Sequence, residues 1–78
     1  MRVAITGGSG SLGRALIQRL THDGADRIVT MSRDEHKRAM LASEFSWHPG
    51  FRAYAGDVRD APRLADIFAG CEVVGHAA

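Results

Sequence analysis

The sequence predicts an α/β fold, the N-terminal portion of a parallel sheet of order 3-2-1-4 built as β-α-β-α-β-α-β. Three observations predict it. Short apolar runs alternate with stretches of helical spacing along all 78 residues. A glycine-rich turn, Thr6-Gly7-Gly8-Ser9-Gly10-Ser11-Leu12-Gly13, joins the first run to the first helical stretch. Polar or glycine-rich residues follow each apolar run, where a parallel sheet would gather them at one edge.

Arg2 to Ile5 is short, apolar and β-branched, and reads as a buried strand closed by glycine. In the turn, Gly8, Gly10 and Gly13 fit G-x-G-x-x-G, and Gly7, Gly10 and Gly13 fit G-x-x-G-x-x-G. The first glycine permits a tight bend, the middle one a close approach of backbone to a pyrophosphate, and the last a close packing of helix on strand. From Leu12 to about Leu20, apolar residues recur at Leu12, Ala15, Leu16, Ile17 and Leu20, with Arg14, Gln18 and Arg19 on the opposite face. Gly24 is the expected stop.

Arg27 to Met31 is the second strand. Either Ser32 or Asp34 caps a second helix that runs to about Phe45, with Met40, Leu41 and Phe45 as its inward face. Pro49-Gly50 marks a turn, and Trp47 before it belongs either over the sheet edge or on the surface. Phe51 to Ala55 is the third strand and Asp57-Val58-Arg59 a loop. Asp60 is the cap of a third helix, with Pro62 in its first turn, Gly70 past its end, and Leu64, Ile67 and Phe68 as its apolar stripe. Glu72 to Gly75 is the fourth strand. Right-handed crossovers place the first two helices on one face of the sheet and the third on the other, and leave the fourth strand as an open edge.

A net charge of +1 gives no electrostatic case for nucleic acid or an anionic membrane. The four histidines show no metal-ligand spacing, so no metal is expected. A single cysteine, Cys71, cannot form an intrachain disulfide. With no signal-peptide pattern and no apolar run long enough for a membrane span, it suits a reducing, cytoplasmic setting. A chain of this size buries only about 60% of its unfolded surface, so its core is marginal.

The end of the second strand speaks to the cofactor. A site for NAD usually carries an acidic residue about 20 positions past the glycines, for the ribose 2′-hydroxyl. Here Ser32-Arg33 takes that place, and a guanidinium suits a 2′-phosphate. Arg14 and Lys37 could reach the same group; the alternative for Arg33 and Lys37 is a solvated helix start, and Lys37 taken singly fits that better. Asp34 would instead offer a carboxylate if the strand end shifted slightly. NADP is therefore favoured over NAD.

These residues resemble a known family. The glycine turn, then Ser32-Arg33-Asp34-Glu35-His36-Lys37 with Met40, then Gly56-Asp57-Val58-Arg59-Asp60, then His76-Ala77-Ala78 occur in this order in extended short-chain dehydrogenases/reductases. Within them the match is to the CapD-like polysaccharide-biosynthesis proteins, which include the UDP-N-acetylglucosamine 4,6-dehydratases (inverting). The resemblance implies a Rossmann fold in which Gly7, Gly10 and Gly13 hold the pyrophosphate and the backbone of Ser9, Gly10, Ser11 and Leu12 lines it. It implies Arg14, Ser32, Arg33 and Lys37 around the 2′-phosphate, Asp57 accepting from the adenine amine, Val58 on the ring, and Ala77 and Ala78 near the nicotinamide ribose. From its place after Gly56 alone, Asp57 is equally a turn residue.

The family's catalytic Tyr-x-x-x-Lys has no counterpart here: Tyr54 is the only tyrosine, and Val58 stands four residues on. No catalytic residue is therefore assigned, and no nucleotide-sugar domain is expected within residues 1–78. The expectation is a partial NAD(P)-binding domain, the N-terminal part of a larger enzyme and inert by itself. The rival readings are a stand-alone dinucleotide-binding or regulatory module that forms a homo-oligomer through its open edge, and a truncated product without function. The downstream coding sequence separates them.

Overall fold

Alternation along the strands decides what each face of the sheet buries. In the computed structural model, which describes residues 1–7, 10–57, 59–71 and the backbone of 73–76, β1 (Arg2–Thr6), β2 (Arg27–Ser32), β3 (Phe51–Ala55) and β4 (Val73–His76) form one parallel sheet. Its order is β3-β2-β1-β4, the order the sequence predicts, with β4 at an edge of the described sheet. Three helices connect the strands: α1 (Ser11–His22), α2 (Glu35–Glu44) and α3 (Ala61–Ile67).

Val3 pairs with Ile28 and Ile28 with Phe51, so these side chains share a face. With Ile5 they meet Ile17 of α1, Leu41 of α2 and Phe45 just after it, and Ala25 closes the cluster. Phe45 and Phe51 stack at a tilt, with centroids 5.3 Å apart. Each fully buried side chain of this size contributes about 1.5–3 kcal/mol. The alternate residues Ala4, Val29 and Met31 are also buried. On that side Arg63 of α3 and Met31 both come up against Gly56, as the reversed third crossover requires.

Helix ends follow the local chemistry. Asp34 and Asp60 cap α2 and α3, accepting from the backbone N–H of Lys37 at 3.2 Å and of Arg63 at 3.3 Å. Asp34, rather than Ser32, is thus the cap of α2. α1 ends in a Schellman turn: Gly24 has φ +84°, its N–H reaches the Thr21 carbonyl, and Ala25 N–H reaches the Leu20 carbonyl. His48 ties the entrance of β2 to that of β3, with Nε2 donating to the Ala25 carbonyl and Nδ1 accepting from Gly50 N–H, each at 3.0 Å. Arg38 donates to both oxygens of Glu35 and also reaches the Ala53 carbonyl, which anchors α2 on β3.

Three expectations change, and one alternative that the sequence leaves open is decided. The stripe of α1 that meets the sheet is Gly13–Ile17–Leu20, whereas Leu12, Ala15 and Leu16 lie on its exposed side. Met40 is half exposed rather than inward, because Leu41 and Phe45 already fill the space over the sheet. β4 runs from Val73 to His76, one residue later than its periodicity suggests at the C-terminal end. Trp47 resolves to the surface, 65% exposed and leaning on Phe45. Among the described residues no helix is long and apolar enough to cross a membrane.

Candidate cofactor site

Because all four strands are parallel, their carboxyl ends lie along one edge. Backbone bonds stitch that edge together: Gly7 N–H donates to the Met31 carbonyl at 3.2 Å, and Gly56 N–H to the Ser32 carbonyl at 2.9 Å. β1 lies between β2 and β4, so the strand order reverses beside it. Such a reversal opens a crevice for ligands in open α/β sheets.

The turn after β1 is shaped by glycine in two different ways. Gly7 has φ +70°, a left-handed conformation that a side chain disfavours. Gly10 is the N-cap of α1 at φ −80°, ψ 174°, an ordinary extended conformation. A β-carbon on Gly10 would meet no atom of the described residues within 4 Å beyond its chain neighbours. Among the described residues, neither backbone strain nor packing therefore asks for glycine at position 10. The N-cap Gly10 has no side chain to cap α1, and the first turn of the helix holds no acidic residue. The first intrahelical bond is Arg14 N–H to the Gly10 carbonyl, at 2.9 Å. The N–H groups of Ser11, Leu12 and Gly13 thus have no acceptor within the helix, and the helix dipole favours negative charge in front of them. Ser11 and Leu12 are exposed there, and Gly13 is buried.

At the end of β2, Ser32 is buried and Arg33 exposed. Asp34 turns one carboxylate oxygen onto the start of α2, where it accepts from the Lys37 N–H at 3.2 Å. Lys37, in the first turn of α2, is exposed and lines a cleft of about 200 Å³ with Arg14, Met40, Leu41 and Glu44. Arg14 forms an ion pair with Glu44 across this cleft. The two side chains are 45% and 29% exposed.

Past β3, Asp57 is engaged by Arg59. Its Oδ1 accepts from the Arg59 backbone N–H at 2.9 Å and from Nε at 3.1 Å, and its Oδ2 from Nη2 at 2.7 Å. These bonds hold the Asp57 carboxyl well below the usual carboxylate range, and the positive charge of Arg33 adds to the effect. The pairing of Ser32 with Ala55 sets the ends of β2 and β3 side by side.

The structure thus places Gly7, Gly10, Ser11, Leu12, Gly13, Arg14, Ser32, Arg33, Lys37 and Asp57 on the strand-end edge or in the adjoining cleft. Val58, Ala77 and Ala78, and the Gly8 and Ser9 of the glycine turn, lie outside the described residues. Sequence reasoning missed Glu44 and Arg59. Arg59 follows Asp57 by two residues, a spacing that could have suggested the pair. Glu44 is 30 residues from Arg14, and no spacing links them.

The family model for polysaccharide biosynthesis proteins matches residues 3–78. A UDP-N-acetylglucosamine 4,6-dehydratase (inverting) from Campylobacter jejuni is 39% identical over 77 residues, 97% of this chain and 23% of that protein. A UDP-glucose 4-epimerase from Rickettsia massiliae is 35% identical over 78 residues, covering 95% of this chain and 23% of its own length. The X-ray structure of Pen from Bacillus thuringiensis superposes with a TM-score of 0.89 at 26% identity, over 99% of this chain and 24% of that one. The chain spans about a quarter of the length of these three proteins. With the family model matched over nearly all its residues, the chain belongs to the polysaccharide biosynthesis protein family.

Proposed function

We propose that residues 1–78 form the NADP-binding part of a nucleotide-sugar dehydratase or epimerase of polysaccharide biosynthesis, akin to the UDP-N-acetylglucosamine 4,6-dehydratases. The observation that carries this reading is the start of α1 with glycine, which has no capping side chain, as its N-cap, at the place where the strand order reverses. A pyrophosphate there accepts from the bare N–H groups of Ser11, Leu12 and Gly13, and Gly7 makes the bend that brings it close. Arg33, Lys37, Arg14 and Ser32 take the 2′-phosphate, and the capping role of Asp34 favours NADP over NAD. Asp57 is the adenine-side group, and Val58, Ala77 and Ala78 are proposed to complete the contact along the cofactor.

When bound, the cofactor takes up and returns a hydride at the sugar. The residues of this chain bind and orient it, and none of them is assigned to the chemistry. Nucleotide-sugar binding and turnover are assigned to none of residues 1–78. Titration of the chain with NADPH and NADH by calorimetry tests the reading: tighter binding of NADPH supports it, and equal affinity for the two removes the 2′-phosphate site. Binding of neither overturns the cofactor assignment altogether.

A further inference from the structure

We propose that Glu44 is a specificity-determining residue of the cofactor site: it tethers Arg14 and so lowers the affinity of the cleft for a phosphate group. The inference rests on the 2′-phosphate reading above. Lys37, Met40, Leu41 and Glu44 follow one another at three-, one- and three-residue steps and make one stripe of α2, with Arg14 of α1 facing it across the cleft. Lys37 and Glu44 are seven residues apart, two helical turns, which sets them about 10 Å apart along the axis.

Lys37 occupies the end near the start of α2, where Arg33 and the strand ends lie. Glu44 is the last residue of α2, at the far end, and it is there that Arg14 makes its ion pair. The guanidinium is therefore committed to Glu44 rather than free to join the other two cations. A phosphate that recruits Arg14 must first part it from Glu44. Even without that movement, Glu44 places a negative charge in the same cleft as the anion. Both effects have one sign. A half-exposed pair of this kind adds little to folding stability, so its consequence lies in where it holds Arg14.

The test is calorimetric titration of the 78-residue chain with adenosine 2′,5′-bisphosphate and with AMP, which differs from it only in lacking the 2′-phosphate. Glu44→Gln is expected to tighten bisphosphate binding about twofold to fivefold and to leave AMP unchanged. In an Arg14→Gln background the gain disappears. Glu44→Asp, whose shorter carboxylate retreats from Arg14 but keeps its charge, gives a smaller gain and serves if Glu44→Gln does not fold. Unchanged or weaker bisphosphate binding in the Glu44 variants overturns the inference, as does an equal gain for AMP. If the parent chain prefers bisphosphate to AMP and the Glu44 variants do not differ, only the role of Glu44 fails. If the parent chain binds both alike, the 2′-phosphate reading fails and this one with it.

Discussion

Arg59 lays its guanidinium along the carboxylate of Asp57, two residues before it, with Nη2 2.7 Å from Oδ2 and Nε 3.1 Å from both oxygens. The pair stiffens the loop that leaves β3 at the edge where the four strands end. It also keeps Asp57 ionised well into acid. Glu35, hydrogen-bonded to Arg38, and Asp26, which accepts from the N-terminal ammonium at 2.7 Å, are held low in the same way. In each case the folded value lies below the unfolded one. The stabilisation is therefore fully present above the ordinary carboxylate range, near pH 4, and is lost as pH falls through the lowered folded values. Thermal melts between pH 2 and 8 should show a plateau above about pH 5 and a decline below about pH 4. Asp57→Asn should make that decline shallower; an identical slope would remove the pair as its source.

Gly50 sits against the backbone of Asp26, whose carbonyl oxygen lies where a β-carbon would be built. That oxygen and carbon are main-chain atoms and cannot swing aside. Gly50→Ala should cost about 1–3 kcal/mol, the range for forcing an atom into a packed region. It should also disturb the neighbouring bond from Gly50 N–H to His48 Nδ1. Urea unfolding measures the loss; a variant as stable as the parent would mean that the two segments are not in contact.

The two sides of α1 should respond in opposite ways. Ile17 is fully buried, so Ile17→Ala should cost about 2–5 kcal/mol, enough to unfold a small domain. Leu12 is 67% exposed, and Leu12→Ser should change stability by no more than about 0.5 kcal/mol. A large loss for Leu12→Ser would show that the side of α1 carrying Leu12 and Leu16 is covered in solution.

That contrast marks how far the sequence could be read. The extent of β3 from Phe51 to Ala55, the cap Asp60, the stop at Gly24 and the strand order all follow from local chemistry and crossover handedness, and all are present, while Asp34 is the one of two candidates that caps α2. The rotation of α1 was not legible. Leu12, Ala15 and Leu16 form as good an apolar stripe as Gly13, Ile17 and Leu20, and periodicity reports a stripe without saying which one touches the sheet. The small Gly13 decides it, because it lets the helix approach the strands on that side. The glycine turn and Arg33 stood out because residue type alone implies their chemistry. The pairing of Arg14 with Glu44 depends on how two helices lie together, which no spacing within either one encodes.

Arg33→Ala separates the two cofactors. Loss of a hydrogen bond to a charged group should weaken NADPH binding by about 1.5–3 kcal/mol and leave NADH binding nearly unchanged. Arg33 is exposed, so the fold should tolerate the change. Calorimetry with both cofactors reads the difference; equal losses would place Arg33 away from the 2′-phosphate.

The most direct measurement is on Gly10→Asp. Aspartate is among the best N-cap residues, and a β-carbon at this position meets no atom of the described residues beyond its chain neighbours, so the fold should keep its stability or gain a few tenths of a kcal/mol. The same carboxylate would occupy the bare N–H groups of α1 and repel a pyrophosphate. A melting temperature at or above that of the parent, together with at least about a tenfold loss of NADPH affinity, is the expected result. A folded Gly10→Asp chain that binds NADPH as tightly as the parent would contradict the placement of the dinucleotide on this turn.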